Sequence, residues 1–365
     1  MLFRKKVYVS SASLSTLAWR RFRSNLTGMA SLVFICLVVL VALLGYLISP
    51  DPTPFANDQH LELGLKKPGY RAGFVMIPKS PSPERRSLLH TMFFGQEKEV
   101  LSCPVTDSLT DIPSADGIAQ RMTVGEALGK TPGAYFVQRT YYLGTDRFGR
   151  DVLSQLIIGS RVSLAVGFIS VIISLFIGIT VGATGGYYRG KIDNLVMWLI
   201  NVVWSVPTLL LVIAITFALG KGFWQVFVAV GLTMWVEVAR VVRGQVLSIR
   251  EKEYVEAGRA LGFSDVRLIL YHILPNVMGI VIVISAANFA SAILLEAGLS
   301  FLGMGVQPPV PSWGTMIKEN YPYIVLDYAY LAILPGLAIM FLVLAFMLMG
   351  NALRDALDVR TTSSF

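Results

Sequence analysis

An all-α integral membrane protein with six transmembrane helices, one long cytoplasmic loop and one large extracytoplasmic segment is predicted from three features of the sequence. Of its 365 residues, 54% are hydrophobic and only 15% are charged, whereas soluble domains average about 25% charged residues. The mean hydropathy is +0.63. The apolar residues also form runs of about 20, which is the length of helix that crosses about 30 Å of hydrocarbon.

Six apolar runs are predicted to span the membrane, at residues 29–49, 162–184, 195–219, 223–239, 276–298 and 329–350. The first follows a basic tail, residues 1–28. It is too long for the apolar region of a signal peptide, and no small-x-small cleavage site follows it, so it is interpreted as a retained membrane helix. The last five runs, with the loops between them, form a predicted five-helix core over residues 162–350.

The second and third predicted spans contain glycine and proline residues, which affect how a helix packs and whether it continues unbroken. Gly178 and Gly182 in the second permit close contact with a neighbouring helix. Pro207 in the third is expected to be tolerated, because neighbouring helices can satisfy the backbone groups it frees. The turn Gly220-Lys221-Gly222 is so short that the third and fourth spans are predicted to form a tight helical hairpin.

Lysine and arginine counts predict the orientation. With a cytoplasmic N-terminus, the cytoplasmic segments hold 16 of these residues, and the short outer segments hold only Lys221 and Lys318. The cytoplasmic segments are 1–28, 185–194, 240–275 and 351–365; the short outer ones are 220–222 and 299–328. Segment 50–161 holds the other 13, but loops of that length translocate largely regardless of charge. Both termini are therefore expected in the cytoplasm.

Segment 50–161 is the one large piece outside the predicted spans. It opens with a proline-rich stretch, residues 50–54, and contains only short apolar runs. Two interpretations stay open: a small α+β cap, or a partly ordered excursion. The segment also holds His60, His90 and Cys103, which are interpreted as ordinary loop residues and not as a metal site, because they follow no zinc-ligand spacing.

Several polar or aromatic residues near the spans are given structural roles. Glu296, near the outer end of the fifth span, is predicted to be an interfacial, solvated carboxylate in preference to a functional intramembrane one. Glu237 and Arg240 are predicted to pair locally at i and i+3. Trp313 is expected to anchor at the membrane interface. A structural ion-pair cluster, favoured over a contact with a partner protein, is predicted for Asp146, Arg147, Arg150 and Asp151.

The cytoplasmic loop 240–275 is the most informative segment, since it is far longer than a membrane hairpin needs. Helical spacing predicts an apolar, mostly small face. That face comprises Tyr254, Ala257, Gly258 and Leu261, while Glu253, Glu256 and Arg259 point away from it. Composition alone leaves two interpretations open: a docking surface for another protein, or a solvated surface loop.

The end of this helix and the start of the next are also marked in the sequence. Gly262 is predicted to stop the first helix. Ser264 is predicted to cap a second helix that begins at Asp265, and Pro275 marks re-entry into the membrane. The loop is therefore predicted to be a short amphipathic helix, a glycine break and a second helix.

The loop carries Glu256-Ala257, then Gly262, then Leu274-Pro275. This spacing resembles the cytoplasmic motif of ABC importer permeases: Glu-Ala-Ala, three residues, Gly, nine residues, Ile-x-Leu-Pro. Gly258 replaces the second alanine and His272 replaces the isoleucine. In that family the loop forms a coupling helix that docks into a groove on an ATPase subunit. The resemblance therefore implies a set of ATPase-coupling residues, namely Glu256, Ala257, Gly258, Gly262 and Asp265.

Three further stretches, at 143–164, 296–317 and 350–360, resemble the oligopeptide/dipeptide (nickel) permease branch of that family. The resemblance implies a multi-pass subunit of the bacterial inner membrane that forms half of an import pathway for peptides or a related small solute. The implied partners are a second homologous permease, two ATPase subunits that bind ATP and magnesium, and an extracytoplasmic substrate-binding protein.

Motifs that the sequence lacks bear on other classes of function. It has no Gly-x4-Gly-Lys-Ser/Thr phosphate loop and none of the nucleophile or metalloprotease motifs of enzymes, so neither ATP binding nor catalysis is predicted for this chain. No basic stretch is interleaved with aromatic residues, so nucleic-acid binding is not predicted. A stand-alone secondary transporter or channel is the alternative, but the spans hold almost none of the mid-membrane ionisable groups that such carriers use.

Overall fold

A computed structural model of the chain describes residues 14–78, 87–98, 100–106, 109–113, 119–220 and 222–357. The α-helices are α1 (Leu14–Ser24), α2 (Leu26–Leu43), α3 (Gly45–Ile48), α4 (Leu88–Phe94), α5 (Val124–Lys130), α6 (Val152–Tyr188), α7 (Gly190–Trp204), α8 (Thr208–Leu219), α9 (Phe223–Arg250), α10 (Glu253–Ala260), α11 (Asp265–Arg267), α12 (Leu274–Phe301), α13 (Trp313–Asn320) and α14 (Tyr330–Leu357). The strands are β1 (Tyr70–Pro78), β2 (Val100–Thr106), β3 (Leu109–Pro113), β4 (Ala119–Thr123) and β5 (Tyr135–Tyr141).

Long apolar helices dominate the described part of the chain. Five are long and apolar enough to cross a membrane: α2, α6, α9, the continuous helical stretch Asp265–Phe301 and α14. The bent pair α7 and α8 makes a sixth if it counts as one span. The prediction of a helical membrane protein is therefore confirmed, with five or six helices of spanning length and composition.

The helices extend beyond the apolar runs that predicted them. The second span was predicted at 162–184, but α6 runs from Val152 to Tyr188. Asp151 caps it, because its side chain accepts a hydrogen bond from the backbone N–H of Ser154 at 2.8 Å. Hydropathy marks only the part of a helix suited to lipid, whereas backbone hydrogen bonding continues past it into polar sequence.

The third predicted span, 195–219, is wrong as an unbroken helix. Helix α7 ends at Trp204, α8 begins at Thr208, and the two are bent by 91°. Pro207 lacks a backbone N–H, and it disfavours helical backbone at the preceding residue, Val206. The chain breaks there. Helix α8 then packs against α9, and in the turn between them Lys221 lies outside the described residues.

Helices α6 and α9 form the central pair, and glycine brings them together. A Cβ atom on Gly178 would lie 2.5 Å from Cβ of Val238, and one on Gly182 would lie 2.4 Å from the carbonyl oxygen of Ala239. Both distances are shorter than atoms tolerate, so a larger residue would push the helices apart. The predicted role of these two glycines in close helix contact is confirmed.

The described chain between α3 and α6 includes a small α+β domain, which corrects the all-α prediction for these residues. Its five-stranded antiparallel sheet has the strand order β4-β3-β2-β1-β5. Strand β1 is buried on both faces: Phe74 packs with Leu63 and Tyr141, whereas Val75 packs with Cys103 and α5. Cys103 is therefore a buried strand residue and not a loop residue.

Asp58 is the centre of a polar cluster in this domain. Its carboxylate accepts hydrogen bonds from Lys98 and, at 3.3 Å, from Nη1 of Arg139, and lies 3.1 Å from Nε2 of His60. Burial by itself raises the pKa of Asp58, but the hydrogen bond from His60 and the positive charge of Lys98 outweigh burial and hold the pKa well below its usual range.

Acid should therefore destabilise this domain through Asp58. Because the folded-state pKa lies below the unfolded value of about 3.9, the stability contributed by the ionised carboxylate is present above that value and is lost as the pH falls through the folded-state pKa. We expect Asp58→Asn to lower stability at neutral pH and to flatten the loss below about pH 4. Thermal unfolding of the detergent-solubilised chain across this range measures both effects.

Asp111→Asn is the matched control, because the pair of Asp111 with Arg121 is solvent-exposed at 3.7 Å and such pairs contribute little. This variant should keep the acid profile of the native chain. If Asp58→Asn lost stability in acid just as the native chain does, Asp58 would not be the cause of that loss.

An ion cluster precedes α6, as predicted, although it includes only part of the predicted set. Arg150 donates from Nε to Asp146 at 2.6 Å and from Nη2 to Glu319 at 2.5 Å. Both Asp146 and Arg150 are buried. Arg147 is instead exposed and lies over the ring of Phe148. Glu319, which local sequence did not reveal, is brought to this site by α13.

Three further predictions about single residues are wrong. Glu296 is not solvated: it is 0% exposed, and one carboxylate oxygen accepts a hydrogen bond from Ser300 at 2.6 Å. Trp313 is no interfacial anchor, because it is buried and donates its indole N–H to the carbonyl of Leu156 at 2.9 Å. In both cases α13 and the chain before it fold back over the end of α12. The third error concerns Arg240, whose guanidinium lies over the Trp204 ring, 3.1 Å from its centroid.

Candidate functional site

The predicted helix–break–helix loop is present at the end of α9. Helix α10 ends at a glycine with positive φ, Gly262 at +78°. The N–H of Gly262 donates to the carbonyl of Arg259 at 2.9 Å, and the N–H of Phe263 donates to that of Gly258 at 3.1 Å. This is the Schellman arrangement, which requires left-handed backbone at its glycine. The predicted helix stop at Gly262 is confirmed.

The residue predicted to cap the second helix of the loop has the backbone conformation of a helix cap but lacks the hydrogen bond. Ser264 precedes α11 with extended backbone, yet its side chain makes no capping hydrogen bond. The chain then continues through a π-helical segment, Leu268–Ile273, into α12, where Pro275 lies in the first turn. Proline is tolerated there because the first N–H groups of a helix need no helical partner.

Only a narrow edge of α10 touches the rest of the protein. Val255 is fully buried in the cluster formed by α9 and the start of α12. Gly258 lies so close to Leu268 that a Cβ atom would be 2.8 Å from its Cδ2. The predicted apolar face otherwise points outward, with Ala257 exposed and Leu261 exposed to 74%.

The outward face continues along α11 and the π-helical segment. We call it the loop patch, and its large exposed residues are Tyr254, Leu261, Val266, Leu270 and Tyr271. Exposed apolar residues scattered singly are ordinary, but a contiguous apolar patch with a polar rim marks an interaction site. Glu253 and Glu256, in the first turn of α10, supply polar residues beside it. The patch favours docking over the solvated-loop interpretation.

Tyr187 connects this surface to the membrane helices, and sequence reasoning missed it. It lies at the C-terminal end of α6, is buried, and donates its hydroxyl to Oδ1 of Asp265 at 2.6 Å. The guanidinium groups of Arg259 and Arg250 lie 5.2 Å and 5.6 Å from its ring centroid. Asp265 therefore holds the loop to α6 although it is exposed, and the predicted coupling residues Glu256, Ala257 and Gly262 are exposed as well.

Two ion pairs fix the helices around the loop. Arg243 of α9 donates from Nε and Nη2 to the two carboxylate oxygens of Asp193 on α7, at 2.5 Å and 2.7 Å. Such two-pronged pairs are stronger and more directional than single contacts. Arg189, between α6 and α7, pairs with Glu251 just before α10. These pairs join α9 to α7, and the chain before α10 to the turn between α6 and α7.

Removing the Tyr187 hydroxyl should loosen the loop without unfolding it. Tyr187→Phe deletes one hydrogen bond and keeps the ring between its arginines, so we expect a loss of about 1 kcal/mol. Hydrogen exchange of the amides in 253–267 should then speed up by roughly fivefold. Tyr188→Phe is the matched control, because Tyr188 is half-exposed and its hydroxyl makes no hydrogen bond among the described residues. Unchanged protection in Tyr187→Phe would show that the bond to Asp265 does not hold the loop.

Two family models match most of the chain. Residues 174–363 match the binding-protein-dependent transport system inner membrane component, and residues 13–68 match the N-terminal TM domain of oligopeptide transport permease C. The matched parts contain the loop patch and the helices that hold it. The interval between the two matches contains the five-stranded sheet.

Individual proteins show the same similarity. The glutathione transport system permease protein GsiD of Pectobacterium atrosepticum is 40% identical over 223 residues, which are 61% of this chain and 74% of that protein. The oligopeptide transport system permease protein OppC of Bacillus subtilis is 37% identical, over 60% of this chain and 72% of that protein. A solved methionine ABC transporter in inward-facing conformations aligns with 55% of this chain and 96% of its own, at 21% identity and a TM-score of 0.47.

Proposed function

The chain belongs to the family of binding-protein-dependent transport system inner membrane components, as a permease subunit of an ABC transporter, and we propose that its loop patch faces the cytoplasm and docks on a separate ATPase subunit. The resemblance drawn from the loop motif is thereby confirmed at the level of the family. A permease of this family is a transport component and not an enzyme, and the stand-alone secondary transporter is not supported.

The loop patch is the observation that supports docking. It offers Leu261 and Tyr271 to a partner, with the small residues Ala257 and Gly262 allowing close approach. Closure of the ATPases on ATP would push on α10. The bond from Tyr187 to Asp265 and the contacts of Val255 would pass that push to α6 and α9. ATP and magnesium are bound by the ATPase in this scheme, and the proposed coupling residues of this chain are Glu256, Ala257, Gly258, Gly262 and Asp265.

The proposed topology has six spans and two cytoplasmic termini. The bent pair α7 and α8 serves as one crossing, which places the start of α10 on the same side as the N-terminus. The lysine and arginine distribution supports this orientation. The α+β domain then lies outside the cell membrane on the face where a substrate-binding protein docks. A second homologous permease completes the pathway, with two ATPases below.

Peptides are the proposed substrates. Relatives of this chain are named for glutathione, oligopeptide and dipeptide transport, and these molecules share peptide bonds. Half of the pathway would come from this chain and half from the second permease.

Affinity purification of the chain from gently solubilised native membranes tests the assembly. We expect a second permease and ATPase subunits to co-purify, and the complex to hydrolyse ATP. Recovery of the chain alone, under conditions that keep a known ABC importer intact, would overturn the proposal. Uptake of labelled trialanine by vesicles containing the complex and its binding protein tests the substrate class separately.

A further inference from the structure

A cavity of about 320 Å³ opens where the helix is broken between α7 and α8. Its walls come from both sides of that break and from α9 and α12. The apolar wall includes Val203, Trp204, Val206, Leu211, Met234 and Leu294. The polar lining includes the hydroxyls of Thr208 and Ser291 and the carboxylate of Glu237. A mostly apolar concavity with a few polar groups is typical of a small-molecule site.

Glu237 lies inside the fourth predicted span, 223–239, near its cytoplasmic end. An α-helix rises 1.5 Å per residue, so this residue is about 21 Å along α9 from Phe223, within hydrocarbon of about 30 Å. A carboxylate inside a span is costly, and such groups face a cavity or a partner in preference to lipid. Its side chain is exposed in this chain, and it faces the cavity at the helix break.

No cation of the described chain neutralises Glu237. The nearest basic residue along α9, Arg240, stacks on Trp204. Among the residues that the structure describes, no ion pair includes Glu237. A ligand that enters the cavity is therefore free to supply the opposite charge.

We propose that Glu237 binds the ammonium group of a peptide that passes through this cavity. The inference rests on the proposed function and deepens it. An ammonium group is common to all peptides with a free N-terminus, whatever their side chains. The apolar wall would accept those side chains without fixed partners, while Thr208 and Ser291 offer hydroxyls to the peptide backbone. The site would thus recognise a charge that peptides with different side chains share.

Peptide binding to the purified, nucleotide-free complex without its binding protein tests this inference. The probes are trialanine and N-acetyl-trialanine, which differ in the charged ammonium group. The native complex should bind trialanine on the order of tenfold more tightly, as expected for a charge-assisted hydrogen bond. Glu237→Gln keeps the shape of the side chain but not its charge, so it should bind both peptides with the affinity of the acetylated one. Glu62→Gln is the control, because Glu62 is exposed and belongs to the α+β domain, far from α9 in the sequence. It should retain the preference for trialanine over the acetylated peptide.

The outcomes separate the inference from the proposed function. If Glu237→Gln binds trialanine as tightly as the native complex, or the native complex does not discriminate, the inference fails even where trialanine uptake succeeds. If Glu237→Gln binds both peptides more weakly by the same factor, or no longer co-purifies with the second permease, then the partner of Glu237 is a lysine or arginine of that permease. The inference fails in that case. If the native complex neither takes up nor binds peptides, the proposed substrate class fails with it.

Discussion

Gly262→Asp should reduce transport by more than about tenfold while leaving the chain in the membrane. The position has positive φ, and nothing lies within 4 Å of where a Cβ atom would be. A new side chain would therefore project into the proposed docking surface, and left-handed backbone costs a non-glycine residue about 1–2 kcal/mol. Aspartate would also bring a charge beside Leu261, which must lose its water when the ATPase docks.

Two substitutions at the same position separate these causes. Gly262→Asn adopts left-handed backbone about as readily as aspartate but carries no charge, so it should transport better than Gly262→Asp. Gly262→Ala introduces mainly the backbone cost. Uptake is measured in vesicles, with the amount of chain in the membrane and the ATPase activity recorded in parallel. Normal transport by Gly262→Asp would remove Gly262 from the coupling mechanism.

Arg150→Ala should be the most destabilising single substitution considered for this chain. It leaves the carboxylates of Asp146 and Glu319 without the guanidinium that joins them. Removing one partner of a buried ion pair typically costs about 3–5 kcal/mol, because the remaining charge stays buried and unpaired. The temperature at which half of the purified chain stays soluble after heating should fall by several degrees.

Arg147→Ala provides the comparison, since Arg147 lies three residues away but is exposed and makes no ion pair among the described residues. Its stability should remain close to that of the native chain. If the two variants unfold at the same temperature, the cluster does not contribute to stability and its burial has another cause.

Helix α6 links these two sites. It begins beside the Arg150 cluster, and Tyr187, one residue before its end, contacts Asp265 of the helix–break–helix loop. At 1.5 Å per residue its 37 residues form a rod of about 55 Å. Close packing against α9 through Gly178 and Gly182 keeps the rod and α9 together. A push at the proposed coupling site would in this way reach the outer face as movement of a packed pair of helices.

Local sequence was enough for the features that depend on neighbouring residues. Apolar runs of spanning length predicted the membrane helices, because lipid requires about 20 successive apolar residues. The break at Gly262 was predictable because a helix ends readily where glycine can adopt positive φ. The loop motif led to the family, because its residues lie within 20 positions of one another. Gly178 and Gly182 were correctly assigned to close helix contact for the same local reason.

Only the tertiary structure decided how distant segments meet. Whether Pro207 bends a helix or breaks it depends on what packs around it, and Glu296 looked solvated until α13 and the preceding chain covered it. Tyr187 finds Asp265 across 78 residues, and Arg150 finds Glu319 across 169. Such pairs arise from the packing of whole helices, which no local period in the sequence encodes. The sequence alone therefore determined the helices and the family, whereas packing determined which charges are buried, which are paired, and which surface is left exposed for a partner.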